Sequence, residues 1–142
     1  MITERKLFLL IALLFSALTL FGQNTKLTIK ITNIKEPKGK IEIGLYNNGE
    51  KFPEVGGELK KIILDADSST VIYTIENLPE GNYAVAVYHD ENSDGECNTN
   101  FLGIPKEPYG FSNNVRPLFS APSFKKTKFT LKGSVIITIK LI

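Results

Sequence analysis

The 142-residue chain has one cysteine, one histidine and no tryptophan. A single thiol cannot form an intramolecular disulfide, so a disulfide-stapled scaffold is excluded and the hydrophobic core must stabilise the fold unaided. Lys and Arg number 17 against 15 Asp and Glu, which gives a formal net charge of +2. This composition lacks the basic excess with which proteins neutralise phosphates, so nucleic acid is not an expected partner. The length favours a single domain.

Long hydrophobic runs are also missing, apart from one near the start. Arg5 and Lys6 precede fifteen uncharged residues, 7–21, which Gly22 follows. A basic start, a short apolar run and a small residue are the layout of a secretory signal peptide. A membrane-spanning helix needs roughly 20 apolar residues, more than this run provides. We expect a signal peptide over 1–22, no membrane span after its cleavage, and export to the periplasm, outer surface or extracellular medium.

The mature chain alternates apolar and polar residues. In KLTIKITNI, one face carries Leu27, Ile29 and Ile31, and KIEIGLY alternates in the same way. Such patterns predict half-buried strands. Further strands are predicted in ELKKIILDA, TVIYTIENL and YAVAVYHD, and the last is apolar enough on both faces to be central in a sheet. KKTKFTLK and SVIITIKLI are predicted to form a closing hairpin across Gly133.

These strands, about seven in number and separated by Gly, Pro, Asn and Asp, predict an all-β, antiparallel sandwich over residues 23–142. The interval 91–125 has no strand pattern of any length, but it is rich in aromatic residues and prolines. Connections this long are uncommon in compact domains and are usually functional. A disordered linker would have few aromatics. We therefore expect one long, ordered loop folded back over an end of the sandwich.

Two segments resemble known families. IENLPEGNYAVAVYHDENSDG resembles the strand–turn–strand signature of transthyretin-like and Cna-B-type sandwiches, in which Tyr83 is expected to anchor the turn through its hydroxyl. HDENSDGECNTNFLGIPKEPYGFSNN, residues 89–114, is similar to the signature of a bacterial secreted family, domain of unknown function 2141. The second resemblance implies an Ig-like or prealbumin-like sandwich in an exported bacterial protein. It implies no activity.

The DENSDG segment resembles the first half of an EF-hand loop, in which positions 1, 3 and 5 supply oxygen ligands and position 6 is Gly. Position 12, where an EF-hand needs a bidentate Glu, holds Phe101, so this loop is not an EF-hand. One interpretation is a weak, loop-stabilising calcium site. The other is an ion-free turn, because Asp and Asn hydrogen-bond the backbone two residues on. The metal ligands in the first interpretation are Asp90, Asn92, Asp94, Glu96 and Asn98.

The single histidine, His89, borders the same loop as the single cysteine, Cys97. A cysteine–histidine dyad at these positions would make a small hydrolase. No third member of such a site and no oxyanion-stabilising turn is recognisable, and Cys97 is better interpreted as a small buried hydrophobic residue. We therefore predict a protein that is not an enzyme, with the hydrolase as an alternative.

The loop GIPKEPYGFSNNVRPLF has two interpretations. Tyr109, Phe111 and Arg116 could form a stacking platform for a glycan or a peptide. Alternatively, the loop aromatics plug the open end of the sandwich, which we favour because aromatics in such domains are more often core. The sequence thus predicts an exported, non-catalytic binding or structural module of the bacterial cell envelope. Its partner would be an envelope protein or a glycan, and a carbohydrate- or peptide-recognition module is the alternative function.

Overall fold

The computed structural model describes residues 24–142, and the predicted signal peptide, residues 1–22, lies outside them. Eight strands are present in the described part, with a 3₁₀ turn at Ser112–Asn114 and one α-helical turn, α1, at Phe124–Thr127. The strands are β1 Lys26–Thr32, β2 Lys40–Tyr46, β3 Lys60–Asp65, β4 Thr70–Glu76, β5 Gly81–Asp90, β6 Tyr109–Phe111, β7 Phe129–Leu131 and β8 Ser134–Lys140.

The strands form the two sheets of a sandwich. The smaller sheet has the order β4-β1-β8, and the larger has the order β3-β2-β5-β6, with β7 also paired to β5. β6 pairs with residues 86–88 of β5 and β7 with residues 81–83, so the same edge of β5 binds both short strands. The predicted all-β sandwich is confirmed, as is the central position of β5. No helix in the described residues is long and apolar enough to cross a membrane.

The core lies between the sheets and is built from the alternating residues of their strands. Leu27, Ile29 and Ile31 of β1 are completely buried, and so are Ile41 and Leu45 of β2. Burying each such side chain contributes about 1.5–3 kcal/mol. The other fully or almost fully buried aliphatic core residues of the strands and the C-terminus are Ile43, Val85, Val87, Leu131, Ile139 and Leu141.

The predicted hairpin across Gly133 is wrong. β7 pairs with β5 in the larger sheet, with Leu131 opposite Gly81, whereas β8 pairs with β1 in the smaller sheet, with Val135 opposite Leu27. The chain therefore changes sheets at Gly133, whose φ of +61° glycine adopts without steric cost. β8 also runs parallel to β1, so the antiparallel prediction is wrong for this pair. An alternating pattern identifies a strand but not its partner.

The turn before β5 is the segment LPEGNY. The Tyr83 hydroxyl donates a hydrogen bond to the carbonyl of Pro79 at 2.7 Å. The predicted anchoring role of Tyr83 is confirmed. This bond fixes the start of β5, the strand that forms the centre of the larger sheet.

The long loop after β5 is ordered, but its aromatic side chains fall into two groups. Phe111 and Phe124 contact Phe52, with ring centroids 6.2 and 6.1 Å apart. Phe101 and Phe119 are almost wholly exposed. The prediction that the loop aromatics plug the sandwich is wrong for Phe119, because its segment lies at the surface of the larger sheet rather than over the core.

Candidate functional site

A groove of about 660 Å³ lies on the outer face of the larger sheet. Its floor comes from β2, β5 and β6, and its walls come from segments 53–58, 102–105 and 117–121. Small-molecule sites in proteins are typically concave and roughly 300–1,000 Å³ in volume. The groove therefore has the size and the shape of a ligand site.

The first row of the floor is polar. Alternate residues of a strand point to the same face of a sheet, and the register places Glu42 opposite Tyr88 and Tyr88 opposite Tyr109. The three side chains thus lie side by side across β2, β5 and β6. All three line the groove.

In the second row of the floor, the residues of β2 and β5 are small. Gly44 lies opposite Ala86, and Ala86 lies opposite Phe111. The Tyr46 ring covers Gly44 so closely that a Cβ at position 44 would be 2.9 Å from the Tyr46 Cε2 atom. The Tyr46 hydroxyl donates to the Glu54 carbonyl at 2.9 Å, which ties the ring to the 53–58 wall. Small side chains at this row leave the depression that the walls surround.

The rim of the groove is apolar and open to water. Contiguous exposed apolar patches on soluble proteins mark sites of interaction. Segment 117–121 contributes the most exposed pair of side chains, and the other two walls contribute three more. The large apolar side chains that line the groove and are more than half exposed are Val55, Leu102, Ile104, Leu118 and Phe119.

A buried carboxylate lies at the floor. The Glu42 side chain is 4% exposed, and its Oε2 atom lies 2.6 Å from Nζ of Lys61, whose side chain is 38% exposed. A buried charge is costly unless it is paired, and Lys61 supplies the compensating charge. The contact is poorly aligned for a hydrogen bond, and Oε2 receives no other hydrogen bond from residues 24–142. This oxygen is closed to solvent, so a molecule in the groove can donate a hydrogen bond to it only when the Lys61 ammonium group moves aside.

Three titratable groups that line the groove, those of Tyr46, Tyr88 and Cys97, are held in their neutral forms. Burial, with smaller effects of nearby carboxylates, raises the pKa of Tyr46 to about 12. Burial and then hydrogen bonding with Glu42 raise the pKa of Tyr88. Burial, followed by the charges of Glu107 and Glu42, also raises the pKa of the Cys97 thiol. The groove thus presents protonated hydroxyl and thiol groups near neutral pH.

A family model described as "Uncharacterized protein conserved in bacteria (DUF2141)" matches residues 29–138. The chain belongs to this family. The resemblance carried by residues 89–114 is therefore confirmed. No curated protein and no solved structure matches the chain. The DUF2141 description names no activity.

Two acidic side chains of the DUF2141 signature, those of Asp90 and Glu107, hold the loop that follows β5. The Glu107 carboxylate accepts backbone hydrogen bonds from Glu91 and Asn98, both at 3.1 Å. The Asp90 carboxylate, also buried, accepts from the backbone N–H groups of Asp94 at 3.1 Å and Gly95 at 2.8 Å. These bonds fix the segment that leads to the 102–105 wall.

The second half of the DUF2141 signature ties β6 to both sheets. The Ser112 hydroxyl accepts from the N–H of Val85 at 3.0 Å and donates to the carbonyl of Thr127 at 2.6 Å. The Asn114 amide donates to Thr138 O at 3.0 Å and accepts from Lys140 N at 2.8 Å, as a neighbouring strand would. The segment that carries Tyr109 and Phe111 is therefore held in place at its C-terminal end.

The predicted calcium loop is closed by hydrogen bonds between its own side chains. Asp94 Oδ2 accepts from the side-chain amides of Asn92 at 2.8 Å and Asn98 at 3.0 Å. Both oxygens of Asp90 are occupied by backbone donors. In residues 24–142, no three His, Cys, Asp or Glu side chains are grouped as a metal site requires. The calcium ligand set stays a prediction: Asp90, Asn92, Asp94, Glu96 and Asn98.

His89 and Cys97 lie on different sides of the larger sheet. His89 is completely buried, and its Nε2 atom lies 2.7 Å from the Lys38 carbonyl oxygen. Its neighbour Tyr88 points into the groove, as the half-buried Cys97 does. Because successive side chains of a strand alternate, His89 points away from Cys97. The structure gives no support to a dyad, and Cys97, which the sequence predicts to be buried, is only half-buried.

The three predicted platform residues separate in the structure. Tyr109 and Phe111 line the groove, with ring centroids 6.0 Å apart in an edge-to-face arrangement. Arg116 is exposed and does not line it. The sequence does not identify Glu42 or Lys61 as site residues, because a polar residue in an alternating strand is expected to face water. No sequence signal marks Glu42 as buried.

Proposed function

We propose that the protein is an exported, non-catalytic binding module of the bacterial cell envelope whose ligand lies in the groove on the larger sheet. The observation that carries this proposal is the groove of about 660 Å³ with its exposed apolar rim. Removing apolar surface from water is favourable by about 25 cal/mol per Å². A ligand with an apolar body would therefore gain affinity from the rim.

The groove is also preorganised, which supports a binding role. The wall that contains Leu102 is held by the Asn100 side-chain oxygen, and the wall that contains Val55 is held by the Tyr46 hydroxyl. Ordering of loops and side chains opposes association, so a prearranged site loses less free energy on binding. A glycan suits the floor less well, because Phe111 is 8% exposed and offers little open ring face for stacking.

The non-catalytic part of the proposal is supported by the state of the reactive groups. A nucleophilic cysteine requires a lowered thiol pKa and a nearby base. The pKa of Cys97 is raised instead, chiefly by burial. His89 is on the opposite side of β5, with Nε2 at the Lys38 carbonyl. A hydrolase screen that shows equal rates for wild type and Cys97→Ala, both at background, is the expected result.

Export rests on the signal-like segment 1–22 and on membership of a bacterial family. The test is fractionation of cells that produce the full chain with a C-terminal tag. We expect a shortened protein outside the cytosol, and a variant that lacks residues 2–22 should stay in the cytosol. Equal distribution of the two proteins would contradict export.

Binding in the groove can be tested with Nile red, a neutral apolar dye that fluoresces on leaving water. We expect binding by the wild type and a loss of at least about fivefold in affinity for the double variant Leu118→Ser/Phe119→Ser, because two rim contacts are removed. Ile72→Ser/Ile136→Ser is the matched control, since both isoleucines are exposed on the smaller sheet. Equal affinities of the two double variants would contradict the proposal.

A further inference from the structure

The charged residues that line the groove carry a net negative charge. They are Glu42, Glu58 and Lys61, two carboxylates and one ammonium group. The Glu58 carboxylate is held in the wall by the backbone N–H of Gly56, at 2.6 Å. Charge complementarity between a site and its occupant favours the opposite sign. The lining is therefore suited to a cation and unsuited to an anion.

The position of Glu42 gives a second, independent indication. Its carboxylate is almost completely buried at the floor, and within residues 24–142 Oε2 is paired with Lys61 but accepts no hydrogen bond of good geometry. Lys61 reaches this oxygen from the solvent side on a flexible side chain, and the ammonium group can return to water at small cost. An ammonium group that enters the groove with an apolar body can take the place of Lys61 and keep the buried charge compensated.

We propose that the groove binds small amphipathic cations, with the ammonium group of the ligand at Glu42 and its aliphatic part along the apolar rim. This inference rests on the proposed function and names the class of its ligand. The volume of about 660 Å³ matches a small molecule. A carboxylate or phosphate head would meet the Glu42 charge at short range, and a neutral head would leave Lys61 in place.

The test compares head groups on a constant chain. Octylammonium and octanoate, each below its micellar concentration, and octan-1-ol, below its solubility limit, are titrated calorimetrically into the protein purified from an expressing bacterium. We expect octylammonium to bind about tenfold more tightly than octanol, because its charged head forms a charge-assisted hydrogen bond, and octanoate to bind most weakly. Butylammonium should bind at least about tenfold more weakly than octylammonium, because its chain covers less of the rim.

Variants assign the preference to Glu42. Glu42→Gln keeps the shape of the side chain and should remove the preference for octylammonium over octanol. Glu76→Gln makes the same charge change at an exposed position on β4 and should keep the preference. Lys61→Gln should bind octylammonium more tightly than wild type does, since no internal ammonium group competes. Retention of the preference in Glu42→Gln, with folding verified by circular dichroism, would overturn the inference.

The outcomes separate this inference from the proposed function. Equal affinities of octylammonium and octanol, both weakened by Leu118→Ser/Phe119→Ser, would overturn the cation preference and leave the binding role intact. Binding of Nile red without binding of any octyl compound would also overturn the preference alone. Failure of Nile red and all octyl compounds to bind would overturn both proposals.

Discussion

Gly110 of β6 lies against Ile139 of β8, so closely that a Cβ atom at position 110 would be 2.7 Å from Ile139 Cγ2. The two residues belong to different sheets. Next to this contact, Tyr109 and Ile142 exchange both backbone hydrogen bonds, at 3.2 and 2.9 Å. The strand that forms one side of the groove floor is therefore joined to the end of the smaller sheet, and the absence of a side chain at position 110 permits the join.

Replacement of Gly110 by alanine should destabilise the protein by about 1–3 kcal/mol, because the added methyl group has to displace Ile139 or the backbone of β6. Urea unfolding measures the effect. Ser134→Thr adds one methyl group at an exposed position of β8 and should stay within about 0.5 kcal/mol of wild type. Equal stabilities of the two variants would show that the contact with Ile139 relaxes freely.

Replacement of Asn114 by aspartate should cost about 1–2 kcal/mol of stability. The aspartate carboxylate can still accept the hydrogen bond from the Lys140 N–H. It cannot donate to the Thr138 carbonyl oxygen as the asparagine amide does, and its negative charge lies next to that oxygen. Asn77→Asp is the matched control, because Asn77 is exposed and has a similar positive φ, 60° against 51°. An equal loss of stability in Asn77→Asp would mean that asparagine is needed at position 114 for its backbone conformation and not for its hydrogen bonds to β8.

The contribution of Glu107 to stability should fall as pH rises. Burial raises the pKa of Glu107 above its ordinary value of 4.5, although the N–H groups of Asn98 and Glu91 oppose this shift. A raised pKa in the folded state means that folding favours the protonated acid, so its benefit is complete below 4.5 and is lost as pH passes the folded pKa. The measurement is the difference in unfolding free energy between wild type and Glu107→Gln (wild type minus variant). We expect this difference to decrease as pH rises from acid to neutral. An increase in this difference as pH rises would indicate that the two N–H donors stabilise the ionised carboxylate of Glu107.

Calcium should stabilise the protein if the DENSDG loop binds it weakly. With a Kd on the order of 10⁻⁴ to 10⁻³ M, 10 mM calcium would add about 1.4–2.7 kcal/mol. Thermal melting with calcium and with EDTA measures this, and Asp94→Asn should reduce the difference. Magnesium at the same concentration controls for ionic strength. Identical midpoints in calcium and EDTA would leave the loop as a turn closed by its own hydrogen bonds, such as that from Asn98 to Asp94.

The strands were predictable where their alternation is long enough to be seen. β1, β2 and β5 have seven, seven and ten residues and were all placed from the sequence. β6 was missed, because three residues with Gly110 in the middle show no alternation. The prediction that β7 and β8 pair with each other was wrong. Two consecutive strands with a glycine between them have the sequence pattern of a hairpin whether or not they pair.

The candidate site was predictable only in part. Tyr109 and Phe111 stood out as aromatics in a long loop, and both line the groove. Glu42 did not, because its place in KIEIGLY is that of a solvent-facing residue. It is buried because Lys61, Tyr88 and Cys97, which come from distant parts of the chain, surround it.

The sequence by itself determined the all-β class, the residues that face the core and the family, because alternation and a contiguous signature are local properties of the chain. Only the tertiary structure decided which strands pair. It also decided that the signature side chains connect the sheets and the loops, and that the carboxylate of Glu42 lies below the apolar rim of the groove. These features depend on contacts between segments tens of residues apart. The local patterns are compatible with many such contacts. The burial of apolar side chains and the register of the strand pairs determine which of them form.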